Sequence, residues 1–178
     1  MPASILDLRG RRALVTGSSR GIGAATVRLL ASAGADVVVC YRSRADDAER
    51  VARDARERGV RAITCAADVA TRAGAESLVE TTMRELGGLD VFVGNAGIWP
   101  EDDVALTEMS DEQWHRTLRE NLDSIFFTTR AVARVISADG RIVLVSSTAG
   151  QRGEAFHADY AATKGGVISF TKSLAVEL

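Results

Sequence analysis

The chain has 178 residues and a mass of 18.9 kDa, enough for one domain with a substantial core and too little for two ordinary ones. Apolar residues make up 46% and charged residues 26%, with only two prolines, which excludes a disordered or collagen-like chain. Twenty-two Lys and Arg against 24 Asp and Glu leave a net charge of −2, without the basic footprint that nucleic-acid binding needs.

No uncharged stretch exceeds ten residues, too short to span a bilayer, and Asp7 and Arg9 interrupt the place where a signal peptide would carry its apolar region. The expectation is a cytoplasmic protein with neither nucleic acid nor membrane as partner. Cys40 and Cys65 each lie in an apolar run and read as reduced core residues, and no cluster has metal-ligand spacing.

Short apolar runs alternate with longer amphipathic ones, the pattern of a doubly wound, Rossmann-type α/β fold with helices on both faces of a parallel sheet. The expected strands are 13–16, 36–40, 62–65, 90–93 and 141–145. Directly after the first comes Thr16-Gly17-Ser18-Ser19-Arg20-Gly21-Ile22-Gly23, which opens a helix. Glycines there let the backbone turn tightly and approach a pyrophosphate, whose charge suits the free N–H groups of the helix. Ile22, Ala25, Thr26, Leu29, Leu30 and Ala33 recur at helical spacing, and Gly34 ends the helix.

At the end of the second strand, a dinucleotide with a free ribose 2′-hydroxyl calls for Asp or Glu. Tyr41-Arg42-Ser43-Arg44 stands there instead, and guanidinium groups suit a 2′-phosphate, so NADP(H) is favoured over NAD(H). The helix expected over 44–58 carries Ala45, Ala48, Val51, Ala52 and Ala55 on one side. Asp46 with Arg50, Glu49 with Arg53 and Asp54 with Arg58 are spaced as surface ion pairs.

A third helix covers 71–85, ahead of Gly87 and Gly88. A long one starts after Ser110, where Ser110 and Gln113 have capping-box spacing. Its apolar stripe runs Trp114, Leu118, Leu122, Ile125, Phe126, Val132 and Ile136, with Asn121 on the same side. A buried amide needs partners: Asn121 is either bonded to backbone or aimed at a site.

After the fifth strand, Ser146-Ser147-Thr148-Ala149-Gly150 precedes Tyr160-Ala161-Ala162-Thr163-Lys164. Four apart on a helix, Tyr160 and Lys164 share a face. An ammonium near a phenol favours the phenolate, and such a pair can exchange a proton with a carbonyl or alcohol oxygen.

Taken together these motifs resemble the short-chain dehydrogenase/reductase family, most closely its NADP(H)-dependent 3-oxoacyl-acyl-carrier-protein reductases, over residues 11–178. Thr16, Gly17, Gly21 and Gly23 match the family's glycine pattern, Asp68 and Val69 its adenine contact, and Asn95, Ala96 and Gly97 its Asn-Ala-Gly segment. The resemblance implies cofactor contacts at Gly17, Ser19, Arg20, Gly21, Ile22, Gly23, Arg42, Asp68, Val69, Asn95, Ala96, Gly97, Tyr160 and Lys164.

It also implies a catalytic set of Asn121, Ser147, Tyr160 and Lys164. In that scheme Tyr160 gives its proton to the carbonyl oxygen of a 3-oxoacyl thioester or similar ketone, and Ser147 hydrogen-bonds that oxygen. Lys164 holds ribose hydroxyls and favours the tyrosinate, while Asn121 orders a water that relays protons. His115, His157 and Asp159 read as ordinary surface residues.

Family members run to about 250 residues. The expectation is therefore a single nucleotide-binding domain over 1–178, incomplete at the C-terminus, lacking the last strands and the substrate loop. The alternative is a truncated, catalytically incompetent remnant that binds dinucleotide or oligomerises. The resemblance implies a homodimer or homotetramer built on the helices at Ser110 and Tyr160. Gly165 and Gly166 would weaken the latter helix by about 1 kcal/mol each.

Overall fold

The computed structural model describes residues 6–178. Five strands form one parallel sheet: β1 (Arg12–Val15), β2 (Asp36–Tyr41), β3 (Ala62–Ala66), β4 (Val91–Gly94) and β5 (Arg141–Leu144). Their order is β3-β2-β1-β4-β5. The chain winds outward from β1 to β3 and then crosses to the other side of β1, so the carboxyl ends of β1 and β4 part at a topological switch point, where such folds hold their ligands.

Helices α1 (Gly21–Ser32) and α2 (Ala45–Arg56) cover one face, where Val27, Val51 and Ala52 meet Ala13, Val15, Val37 and Val39. Helices α3 (Arg72–Leu86) and α5 (Ser124–Ala133) cover the other, where Leu78 and Val132 meet Leu14, Val38 and Phe92. Both faces of the central strands are thus buried, which is why they read as continuous apolar runs. The remaining helices are α4 (Asp111–Leu118), α6 (Ala149–Arg152) and α7 (Ala158–Glu177), and none among the described residues is long and apolar enough to cross a membrane.

Three sequence expectations need correction. Ile22, Ala25 and Leu29 face solvent on α1, and the buried face is Gly23, Ala24, Val27, Leu30 and Ala31. The cause is Gly23: a Cβ there would stand 2.6 Å from the Gly17 carbonyl oxygen, so the helix can sit this close to its own turn only with that glycine inward.

On α2 the charges pair otherwise than at i,i+4. Asp47 meets Arg44 and Arg50, Glu49 meets Arg56, and Asp54 meets Arg28 of α1. The third correction concerns the long helix after Ser110, which is α4 and α5 joined by a π-helical turn, Arg119–Asp123. Thr117, Asn121, Ser124, Thr128 and Thr129 are buried along it, while Phe126 is exposed. Ser124 and Thr128 bury their hydroxyls by donating to carbonyls one turn back, Glu120 at 2.8 Å and Ser124 at 2.6 Å, which lets them pack as small apolar groups. Only half of the capping box forms: Ser110 Oγ accepts from Gln113 N, but the Gln113 amide points to Asp159.

The amino ends of the strands are clamped by Asp90. Arg12 donates to it from Nε at 2.7 Å and from its backbone N at 2.9 Å, and Ser137 Oγ donates at 2.9 Å. These bonds, the Arg12 side chain foremost, hold the Asp90 carboxyl at a pKa of about 2. Cys40 is buried and Cys65 half-buried, both as free thiols facing each other across β2 and β3. Burial pushes the Cys40 thiol up to about 12.

Candidate active site

At the carboxyl end of β1 the turn to α1 requires φ of +61° at Gly17 and +56° at Gly21, a region open to glycine without strain. A Cβ on Gly17 would also stand 2.9 Å from Ala96 Cα, whereas one on Gly21 would meet nothing within 4 Å. Gly17 therefore lets two loops touch, and Gly21 leaves the outer side of the turn open.

The turn is fastened by its polar residues. Thr16 Oγ1 accepts from the backbone N of Asn95 and Ala96, both at 3.0 Å, and Asn95 Nδ2 donates to the Thr16 and Gly17 carbonyls at 3.0 and 3.2 Å. Buried Ser18 donates to Val15 O at 2.7 Å and accepts from Cys40 N at 2.9 Å. Thr16, Ser18 and Asn95 thus bind the switch point together, with the Asn95 amide turned to the protein.

A cavity of about 170 Å³ opens beside this turn, lined by Gly17, Ser19, Arg20, Arg42, Asp68, Val69, Ala96 and Gly97 among others. Eight of the expected cofactor contacts therefore share one cavity, and Gly21, Ile22, Gly23, Asn95, Tyr160 and Lys164 lie outside its lining. Arg20 is exposed, and its guanidinium has no hydrogen-bond or ion-pair partner among the described residues. Arg42 is engaged: its Nη1 donates to both carboxylate oxygens of Glu120, at 2.8 and 2.7 Å. No local sequence signal links residues 42 and 120, which lie 78 apart.

The expected catalytic residues sit on three other elements that converge here. Asn121, fully buried in the π-helical turn, accepts from Ile98 N at 2.7 Å and donates to Ile98 O at 3.0 Å. Both ends of its amide are therefore spent on the backbone after the Asn-Ala-Gly segment. A Cβ on Gly97 would stand 2.5 Å from Asn121 Oδ1 and 3.6 Å from Lys164 Nζ, so that segment, the π turn and α7 meet at a glycine.

Lys164 is 4% exposed and donates from Nζ to Val145 O at 3.0 Å, and its Nζ lies 5.7 Å from the centroid of the Tyr160 ring. Burial without a carboxylate partner lowers its pKa from the usual lysine value. Of the adjacent serines, Ser146 donates to Lys164 O at 2.7 Å, whereas Ser147 accepts from Ala149 N at 3.2 Å and keeps its proton free to donate.

Gly150 and Gly165 explain how α6 and α7 come so close, since a Cβ on Gly150 would stand 2.6 Å from Gly165 N. What looked like a weakness of α7 is its contact point. His157 and Asp159 are buried too, against expectation. Asp159 accepts from Thr117 Oγ1 at 2.7 Å, Gln113 Nε2 at 3.2 Å and Tyr160 N at 2.8 Å, joining the first turn of α7 to α4. An acidic residue at a helix N-terminus is favoured there.

Comparison with known proteins agrees with this geometry. Residues 11–178 match the family model for short chain dehydrogenases. The chain is 40% identical over 173 residues to a 3-oxoacyl-[acyl-carrier-protein] reductase of Synechocystis sp., covering 96% of this chain and 69% of that protein. It is 37% identical over 184 residues to the 3-oxoacyl-[acyl-carrier-protein] reductase FabG of Escherichia coli, covering 97% and 69%. A crystal structure of a short chain dehydrogenase from Burkholderia cenocepacia, in complex with NADP, superposes with a TM-score of 0.91 at 38% identity, over 96% of this chain and 69% of that one. With its glycine turn, switch-point cavity and Tyr160–Lys164 pair on α7, the chain belongs to the short-chain dehydrogenase family of oxidoreductases, which bind a nicotinamide dinucleotide.

Proposed function

We propose that this chain reduces a carbonyl, a 3-oxoacyl thioester or similar ketone, to an alcohol with NADP(H), in the cytoplasm and as a homodimer or homotetramer. The observation that carries the reading is Lys164: a buried ammonium with one N–H on Val145 O, set beneath the Tyr160 ring and beside Gly97. An ammonium has three donors, so two remain for ribose hydroxyls.

The residues around the turn suit a dinucleotide: Gly21 leaves the outer side of the turn open, α1 begins there, and Gly17, Ser19, Arg20, Arg42, Asp68 and Val69 line the adjoining cavity. Gly17 to Gly23 would hold the pyrophosphate, Asp68 and Val69 the adenine, and Asn95 to Gly97 with Tyr160 and Lys164 the nicotinamide ribose. Arg20, unpaired, and Arg42 would face the 2′-phosphate, and no acidic residue at the end of β2 opposes it. The Burkholderia cenocepacia relative with NADP supports that choice. When bound, the cofactor supplies the hydride.

Tyr160 donates its proton to the substrate oxygen, and Ser147, whose hydroxyl proton is free, hydrogen-bonds that oxygen. Because both ends of the Asn121 amide are spent on Ile98, its side chain serves to fix the backbone after the Asn-Ala-Gly segment. The similarity to 3-oxoacyl-[acyl-carrier-protein] reductases supports the substrate reading, and exposed Phe126 of α5, set against Phe170 of α7, supports self-association.

The test is Tyr160→Phe. NADPH oxidation driven by acetoacetyl-coenzyme A or a simple ketone falls by about 10³-fold, while the NADPH dissociation constant, read by fluorescence, stays within about twofold. Normal turnover by that variant overturns the assignment.

A further inference from the structure

We propose that Trp99 is the specificity-determining wall of the carbonyl site, selecting an uncharged ketone that carries a flat aromatic ring over an anionic phosphopantetheine thioester. This rests on the carbonyl-reduction reading above and narrows its substrate.

Trp99 sits one residue past Ile98, the backbone anchor of Asn121. Its ring meets Tyr160 edge-on, with centroids 4.7 Å apart and planes at 75°. Its face lies on the His157 ring at 4.1 Å and 20°. Even so, Trp99 is 49% exposed. An indole fixed against the proton donor and half open is a surface for a ligand, and edge and face contacts of this kind favour a flat π system over a puckered ring of equal size.

His157 holds the indole in place. It is 4% exposed, with Nε2 3.1 Å from Pro100 O and Nδ1 3.2 Å from Ala155 O, so it joins the strand of chain carrying Trp99 to the segment leading into α7. Beside it Phe156, with φ of +64°, the one positive value at a non-glycine among the described residues, keeps a 55% exposed ring, and its carbonyl accepts from Val104 N at 3.1 Å.

Charge works against the thioester. Glu101, Asp102 and Asp103 follow Trp99 after Pro100 and are all exposed, with Asp103 Oδ1 3.7 Å from His157 Nδ1. Arg152, on α6, is paired with Glu154 at 3.6 Å. The rim beside the wall is acidic, and it disfavours a substrate that carries phosphates.

The experiment follows NADPH oxidation with 2-tetralone, with its saturated counterpart 2-decalone, and with acetoacetyl-coenzyme A. The wild-type chain prefers 2-tetralone to 2-decalone by about tenfold in kcat/KM, the range one pocket contact supplies. Trp99→Leu abolishes that preference, mainly by raising KM for 2-tetralone, and Trp99→Phe, which keeps a ring, restores most of it. The triple variant Glu101→Gln, Asp102→Asn, Asp103→Asn raises kcat/KM for acetoacetyl-coenzyme A about threefold at low salt and leaves 2-tetralone unchanged. Equal losses on both ketones in Trp99→Leu, or a wild-type preference for the thioester, overturn the proposal alone. No turnover of any of the three substrates overturns the carbonyl-reduction reading and this proposal with it.

Discussion

Up to Gly94 the chain fills its interior with aliphatic side chains, and beyond it with hydroxyls, amides and charges. Among the described residues, 27 of the 32 buried apolar side chains precede Asn95, and nine of the 13 buried polar ones follow it. Aliphatic burial is non-directional: it holds a sheet without fixing any one atom finely. Hydrogen bonds between buried groups are directional and costly to leave unmade, so the half that carries Asn121, Asp159, Tyr160 and Lys164 is held by contacts that specify position. The first half is a platform for a cofactor; the second is a set of aimed groups.

Breaking the platform should cost stability and leave the chemistry of the folded molecules alone. Phe92 of β4 is fully buried among Leu14, Leu78 and Val132. Phe92→Ala costs about 4 kcal/mol in urea denaturation, with kcat of the folded fraction within about twofold. Breaking an aimed group should cost both. Asp159→Ala leaves Thr117 Oγ1, Gln113 Nε2 and Tyr160 N without their acceptor, costs about 3 kcal/mol and lowers kcat at least about tenfold, because the first turn of α7 carries Tyr160. A Phe92→Ala protein that loses kcat, or an Asp159→Ala protein that keeps it, erases the distinction.

The same division explains what the sequence discloses. The strands of the platform are legible as apolar runs: β2, expected over 36–40 and buried on both faces, is Asp36–Tyr41, and the edge strand β3, expected over 62–65, is Ala62–Ala66. The glycine turn is legible because strand, turn and helix follow in order. The helix face of α1 is not, since apolar spacing favours Ile22 and Leu29 and only the close approach at Gly23 turns them outward. In the second half, the serine, tyrosine and lysine are legible by motif, but their supports are not. Asp159 and His157 read as surface residues because burial of a charged side chain depends on partners 42 and 57 residues away in sequence. Glu120, one residue before Asn121, gives no hint that it holds Arg42.

Acid sharpens the comparison, because the platform has a buried carboxylate as its ionic clamp. The Asp90 carboxyl, with its pKa near 2, is stabilised by Arg12 in the folded chain and titrates near the ordinary aspartate value when unfolded. Its contribution, about 1 to 2 kcal/mol, is complete above pH 4 and lost as the pH falls from about 4 to about 2. Asp90→Asn removes that contribution at neutral pH and flattens the acid limb of the stability curve in this window. An unchanged limb shows that the clamp is not what acid breaks.

The smallest expected effect lies where the two halves touch. Arg42, at the end of β2, is held by Glu120 of the π-helical turn, and the pair is partly exposed, with side-chain exposures of 53% and 17%. On the proposed NADP(H) reading, a 2′-phosphate at Arg42 must displace or share that carboxylate, so Glu120 opposes the contact proposed to select NADPH. Partly exposed pairs contribute a few tenths to about 1 kcal/mol. Glu120→Gln therefore lowers the NADPH dissociation constant about two- to fivefold and leaves that for NADH, which carries no 2′-phosphate, unchanged. The gain shrinks in high salt, since it is coulombic and near the surface. An equal gain for both cofactors would mean that Glu120 acts through the placement of Asn121 beside it rather than through Arg42, and would move the residue from the platform's edge into the aimed half.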